Sequence, residues 1–219
     1  MSDTARKRSH FPKLLAVLGV GFLGLILVAI AGPTTPTNGT KATNALLNLD
    51  GHQFPAVVAS VDGTPITGAE LAQRVFIVQH NPHLVGDPSQ FNAEQIALEQ
   101  LIVESVLLKS ANDVGVTVSE QEAADYALAR QNAILNGDDP VSRDQYAAAA
   151  AQMGVQPQDL ASDPRTIDSY RQGLLLGRMY DHVLRTLPED QQNNPVAFEG
   201  AVRSFVDQHT KNIQILIQP

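Results

Sequence analysis

The sequence predicts a mainly α-helical fold: a multi-helix domain with a small β-hairpin that the C-terminal strand closes, preceded by an N-terminal transmembrane or signal helix. Three observations carry this prediction. Apolar residues recur at helical spacing between capping signals over most of the chain. Strand-like alternation occurs only in "VVASV" at Val57 to Val61, in its short return at Thr64 to Ile66, and in the closing "NIQILIQP" at Asn212 to Pro219. Leu14 to Ala31 contains no charged residue. Composition agrees, because 43% hydrophobic residues suffice for a core, while 5% aromatics and no Trp suit helices built on Ala, Leu, Val and Ile.

The chain opens on a basic region, residues 1–13, in which Arg6, Lys7, Arg8 and Lys13 face a single Asp3. Residues 14–31, "LLAVLGVGFLGLILVAIA", rise about 27 Å as a helix, close to the thickness of a bilayer core. The basic flank stays on the cytoplasmic side, so the segment directs the rest of the protein outward. It is either a retained anchor or a signal cleaved after the small-x-small triplet Ala29-Ile30-Ala31. "GVGFLG" at Gly19 to Gly24 spells a dinucleotide-binding motif but lacks the strand and helix N-terminus that the motif's physics requires. Residues 32–54 read as a flexible linker, with "GPTTPTNGTKATN" too broken by Pro, Thr and Gly to pack.

The folded body is expected over residues 55–219. Val57, Ala59 and Val61 alternate with Val58 and Ser60 as a strand, and Asp62-Gly63 supplies the positive φ angles of a tight hairpin turn before the return at Thr64 to Ile66. Thr67 and Glu70 form a capping box that starts a helix running to His80, with Leu71, Val75 and Val78 inward. Asn92 with Gln95 caps a strongly apolar second helix through Ile96, Leu101, Ile102, Val106 and Leu108, ending about Asp113 before Gly115. Ser119 with Glu122 caps a third helix that ends near Gly137. A fourth spans Ser142 to Met153 through the Ala147 to Ala151 run. Asp163-Pro164 opens a long fifth helix that stops at Leu187-Pro188, and Asn194-Pro195 opens a last one with Phe198, Val202, Phe205 and Val206. The terminal strand then needs a partner, and the Val57 to Val61 hairpin supplies it.

The stretches "VVASVDGTPITGAEL", "LEQLIVESVLLKSANDVGVTVSEQE" and "DPRTIDSYRQGLLLGRMYDHVL" resemble the N-terminal chaperone domain of SurA and PrsA-like foldases. The resemblance spans about Phe54 to Leu187 and rests on packing and turn signatures. It implies a chaperone that holds unfolded polypeptides outside the cytoplasm. Relatives that isomerise proline bonds carry parvulin domains, and no such unit fits between Leu187 and Pro195. The resemblance therefore implies the chaperone module without isomerase activity. PrsA-like proteins are often anchored through a lipidated cysteine, and with no Cys here the apolar N-terminus takes that role.

No residue pattern points to catalysis. The chain has no thiolate, no disulfide and no zinc-cysteine site. A G-x-S-x-G elbow, a phosphate-binding loop and a His-Glu-x-x-His pair are all missing from the sequence. His80 and His83 in "HNPH" read as loop histidines, and Asp138-Asp139 in "NGDDP" as solvated turn acids, so no metal or cofactor is expected. The formal net charge of -8, concentrated in the body, argues against a nucleic-acid partner. What remains is binding. Phe76, Leu84, Phe91, Tyr146 and Met153, on or near loops, are the candidate contacts for unfolded or nascent secreted polypeptides. The membrane is engaged through the N-terminal helix. The rival expectations are an interaction subunit for one envelope partner and, by kinship alone, a prolyl isomerase.

Overall fold

The computed structural model describes residues 54–80 and 92–217. The expected basic region, transmembrane or signal segment and residues 32–53 of the linker, together with Leu84 and Phe91, lie outside the described residues, while Phe54, expected in the linker, packs against the core. Among the described residues no helix is long and apolar enough to cross a membrane. They form strands β1 (Val57–Val61), β2 (Thr64–Thr67) and β3 (Ile213–Ile215) and helices α1 (Gly68–His80), α2 (Ala93–Ser110), α3 (Glu120–Leu135), α4 (Pro140–Met153), α5 (Pro164–Arg185) and α6 (Pro195–His209), with short 3-10 turns at Pro157–Ser162 and Glu189–Gln191.

The hairpin forms as its turn residues dictate. Asp62 takes φ 47° and Gly63 φ 81°, the left-handed pair that matches the twist of two antiparallel strands. At Thr67 the capping box is reciprocal: the Glu70 N–H donates to Thr67 Oγ1 at 3.2 Å, while Thr67 N–H and Oγ1 both donate to Glu70 Oε2 at 2.7 Å. The expected third strand is present. β3 pairs antiparallel with β1, giving a sheet of order β2-β1-β3 with Ile215 opposite Ala59, Gln214 opposite Ser60 and Ile213 opposite Val61.

Helix starts follow local chemistry closely, with some differences. Asn92 caps α2 through Glu94 N–H at 2.9 Å, but Gln95 turns along the helix to Glu99 and does not complete a box. α2 ends at Ser110, earlier than expected, because residues 111–115 wind into a turn in which Val116 N–H reaches Ala111 C=O at 2.8 Å and Gly115 takes φ 75°. Asp139 is a helix cap, not a free turn acid: its carboxylate accepts from Val141 N–H and Ser142 Oγ, so α4 begins at Pro140. Asp163 and Asn194 cap α5 and α6 in the same way, each followed by Pro at the first helical position.

The core is a chain of four contacts. The sheet packs Val58, Ala59, Val61 and Ile66 against Leu71, Val75 and Val78 of α1 and Ile96, Ile102 and Val106 of α2. The opposite side of α2, through Leu107, meets Met179 and Val183 of α5 and Val202 and Phe205 of α6. Nearer the start of α5, Tyr170 packs on Ala123 and Ala127 of α3. At the end of α3, Ile134 joins Tyr146, Ala149 and Ala150 of α4 and Leu160 of the 3-10 turn. Each such aliphatic side chain taken fully out of water contributes about 1.5–3 kcal/mol.

Candidate functional site

The site grows from the hairpin turn. Asp62 sits where β1 ends, and its backbone N–H donates to Asn212 C=O at 2.8 Å. Its Oδ1 accepts from Asn212 N–H at 2.8 Å and Lys211 N–H at 3.1 Å. One side chain therefore fastens the entry of β3 across 149 and 150 residues of sequence. The turn is braced from below by Lys109 at the end of α2, whose Nζ donates to Val61 C=O, Asp62 C=O and Thr64 Oγ1 at 3.3, 3.0 and 3.2 Å.

The same hydrogen bonds fix which way β3 faces. Asn212 C=O points to β1, and Leu216 N–H donates to Val58 C=O at 2.9 Å. Because successive residues of an antiparallel strand turn their polar groups to opposite sides, the N–H and C=O of Ile213 and Ile215 point away from β1. Among the described residues no strand pairs with that outer edge. The side chains of Ile213 and Ile215 lie on the sheet face of their partners Val61 and Ala59, the face the helices cover. Ile217, next on that face, packs into the core cluster. Coverage thins along the strand: Ile213 and Ile215 remain 39% and 55% exposed, and Leu216 on the opposite face 59%. An edge strand is usually guarded by charge or proline, yet "NIQILIQ" at 212–218 carries neither.

Of the residues expected to contact clients, Leu84 and Phe91 lie outside the described residues, Phe76 stands on α1, and Tyr146 and Met153 meet in one cluster at the α4 end. Phe76 is half-buried on α1. Tyr146 was expected near a loop surface but is 1% exposed, and its hydroxyl donates to Gln131 Oε1 at 2.9 Å. Burial pushes that hydroxyl's pKa far above its ordinary value. Met153 is part-buried against the same cluster, with Sδ 3.8 Å from Thr166 Oγ1. Composition flagged these large side chains, but their neighbours turned two of them inward. The exposed apolar row lies instead on the terminal strand, whose own alternation was its only sequence signal.

Two buried polar clusters hold the frame and offer no open chemistry. Arg74 of α1, 8% exposed, donates to both Glu104 oxygens at 2.5 and 2.6 Å and to Gln100 Oε1 at 3.3 Å. Burial opposes its charge, but the Glu104 carboxylate more than offsets this and holds the guanidinium firmly ionised. Gln131 of α3 accepts from Tyr146 and from Ala161 N–H at 3.0 Å and donates to Gln158 C=O at 2.9 Å. Among the described residues no group of three His, Asp or Glu stands placed to hold a metal ion.

A family model described as the SurA-like N-terminal domain matches residues 3–172, from the basic N-terminal region into the first half of α5. No curated protein and no solved structure matches the chain.

Proposed function

The chain belongs to the SurA-like N-terminal domain family, and on that premise we propose that it is an ATP-independent holdase, a chaperone module that keeps unfolded polypeptides soluble by apolar contact and performs no isomerisation. Its place is outside the cytoplasm, with residues 14–31 tethering it to the membrane or removed as a signal. Its clients are secreted polypeptides as they emerge.

The observation that carries the proposal is the row of Ile213 and Ile215, exposed on an edge strand that lacks a guarding charge, with Leu216 exposed on the opposite face. Exposed apolar side chains beside backbone groups that no strand pairs with among the described residues suit an extended chain of little sequence preference. The acidic body helps keep such complexes dissolved.

The test is aggregation of a chemically denatured client in the presence of the 219-residue chain. Suppression is expected at near-stoichiometric ratios. It should be lost in the double variant Ile213→Lys/Ile215→Lys and kept in Leu128→Lys, which alters an exposed apolar residue on α3. No suppression at stoichiometric excess would overturn the holdase reading, and equal suppression by all three proteins would overturn its placement on β3. Protease accessibility of the domain in intact cells tests its location.

A further inference from the structure

We infer that the outer edge of β3 takes its client as a fourth, antiparallel strand, and that the client is an extended segment with apolar residues at alternate positions. This rests on the holdase reading above and specifies how the same site grips. Two geometric facts coincide at β3. The residues whose backbone groups point outward, Ile213 and Ile215, are the ones whose side chains form the apolar row on the helix side of the sheet. In an antiparallel pair, a client residue opposite Ile213 exchanges both backbone hydrogen bonds with it and places its own side chain on the same face. The client residue two positions away does the same with Ile215. The client's apolar residues are therefore also the ones that hydrogen-bond to β3. Its intervening residues face away, with their N–H groups in water and their side chains beside Gln214 and Leu216. The existing sheet is wholly antiparallel, so addition in that sense continues its twist.

Other occupants fit less well. Three part-exposed aliphatic side chains amount to roughly a few hundred Å² at most, whereas a stable dimer buries about 800 Å² on each partner. A second copy meeting edge to edge is thus too small an interface to persist. A peptide strand gains affinity from main-chain hydrogen bonds at any sequence, as a holdase requires.

The test uses fluorescent ten-residue peptides that alternate valine and threonine, titrated with the 219-residue chain. One is unmodified, one is N-methylated on its valines, and one is N-methylated on its threonines. Methylating valine removes the donors that face β3, so binding is expected to weaken at least tenfold. Methylating threonine removes donors that face water, so binding should change less than about threefold. Equal binding of all three peptides, with aggregation still suppressed, would overturn strand addition and leave the apolar holdase standing. Loss on threonine methylation alone would overturn the antiparallel register. A concentration-dependent dimer that excludes peptide would overturn the choice of occupant, and failure to suppress aggregation at all would fall on the holdase reading itself.

Discussion

Replacing Asp62 with alanine should loosen the terminal strand more than any other single change on the surface of the sheet. The side chain accepts two backbone hydrogen bonds, from Lys211 and Asn212, at 3.1 and 2.8 Å. Each such bond contributes about 0.5–1.5 kcal/mol net. Asp62 also holds φ 47°, a conformation that aspartate and asparagine tolerate but that costs alanine roughly 1–2 kcal/mol. The losses sum to about 2–5 kcal/mol. For a chain of this size, a melting temperature should fall by roughly 2–4 °C per kcal/mol, hence by about 4–20 °C. Asp62→Asn keeps both the acceptor oxygen and the tolerance of positive φ, so it should cost less than about 1 kcal/mol. Thermal melting followed by circular dichroism separates the two. Amide exchange at Leu216, whose N–H bonds to Val58, locates the effect on β3. If alanine melts with asparagine, or if Leu216 exchanges no faster in the alanine variant, the clamp attributed to this carboxylate is wrong.

Glu104→Ala strands the buried Arg74 guanidinium and should cost about 3–5 kcal/mol, whereas Arg74→Met with Glu104→Leu should recover most of it; chemical denaturation of the three proteins decides. Gly68→Ala, despite alanine's helix preference, should destabilise, because its Cβ would meet Pro55 C=O at 2.2 Å and Phe54 Cβ at 2.8 Å; a raised melting temperature would contradict the close approach. Tyr146→Phe removes one bond to Gln131 and should cost about 0.5–1.5 kcal/mol by the same denaturation measurement. Asp163, hydrogen-bonded first to the Arg165 side chain and then to backbone N–H groups at the start of α5, has its pKa held below the ordinary carboxylate range. Its folded pKa is depressed, so its contribution is present above about pH 4 and fades as pH falls through the lower folded value. An acid titration of Asp163→Asn should therefore lose part of the wild-type stability drop in that window.

The sequence by itself determined whatever is decided within four residues. The left-handed turn at Asp62-Gly63, the reciprocal cap at Thr67 and Glu70, and the caps at Asn92, Ser119, Asp163 and Asn194 are bonds between near neighbours. Their partners travel with them in any conformation. Helix periodicity likewise marked Leu71, Val75 and Val78 as inward before any partner was known. The closing of the sheet by the terminal strand was also legible, by elimination, since few segments alternate.

Tertiary structure alone decided which exposed positions matter. Tyr146 lies in an alanine-rich stretch that gives no hint of a facing amide, yet Gln131, on the preceding helix, draws its hydroxyl inside. The charges of Arg74 and Glu104 look solvated in sequence and become a buried pair only when α1 packs on α2. Among the described residues the row at Ile213 and Ile215 stays open because the helices that cover Ala59 and Val61 do not extend over β3. Burial is set by everything packed around a residue, and most of that arrives from far along the chain. Local chemistry fixes the elements, and long-range packing fixes which of their faces remain exposed.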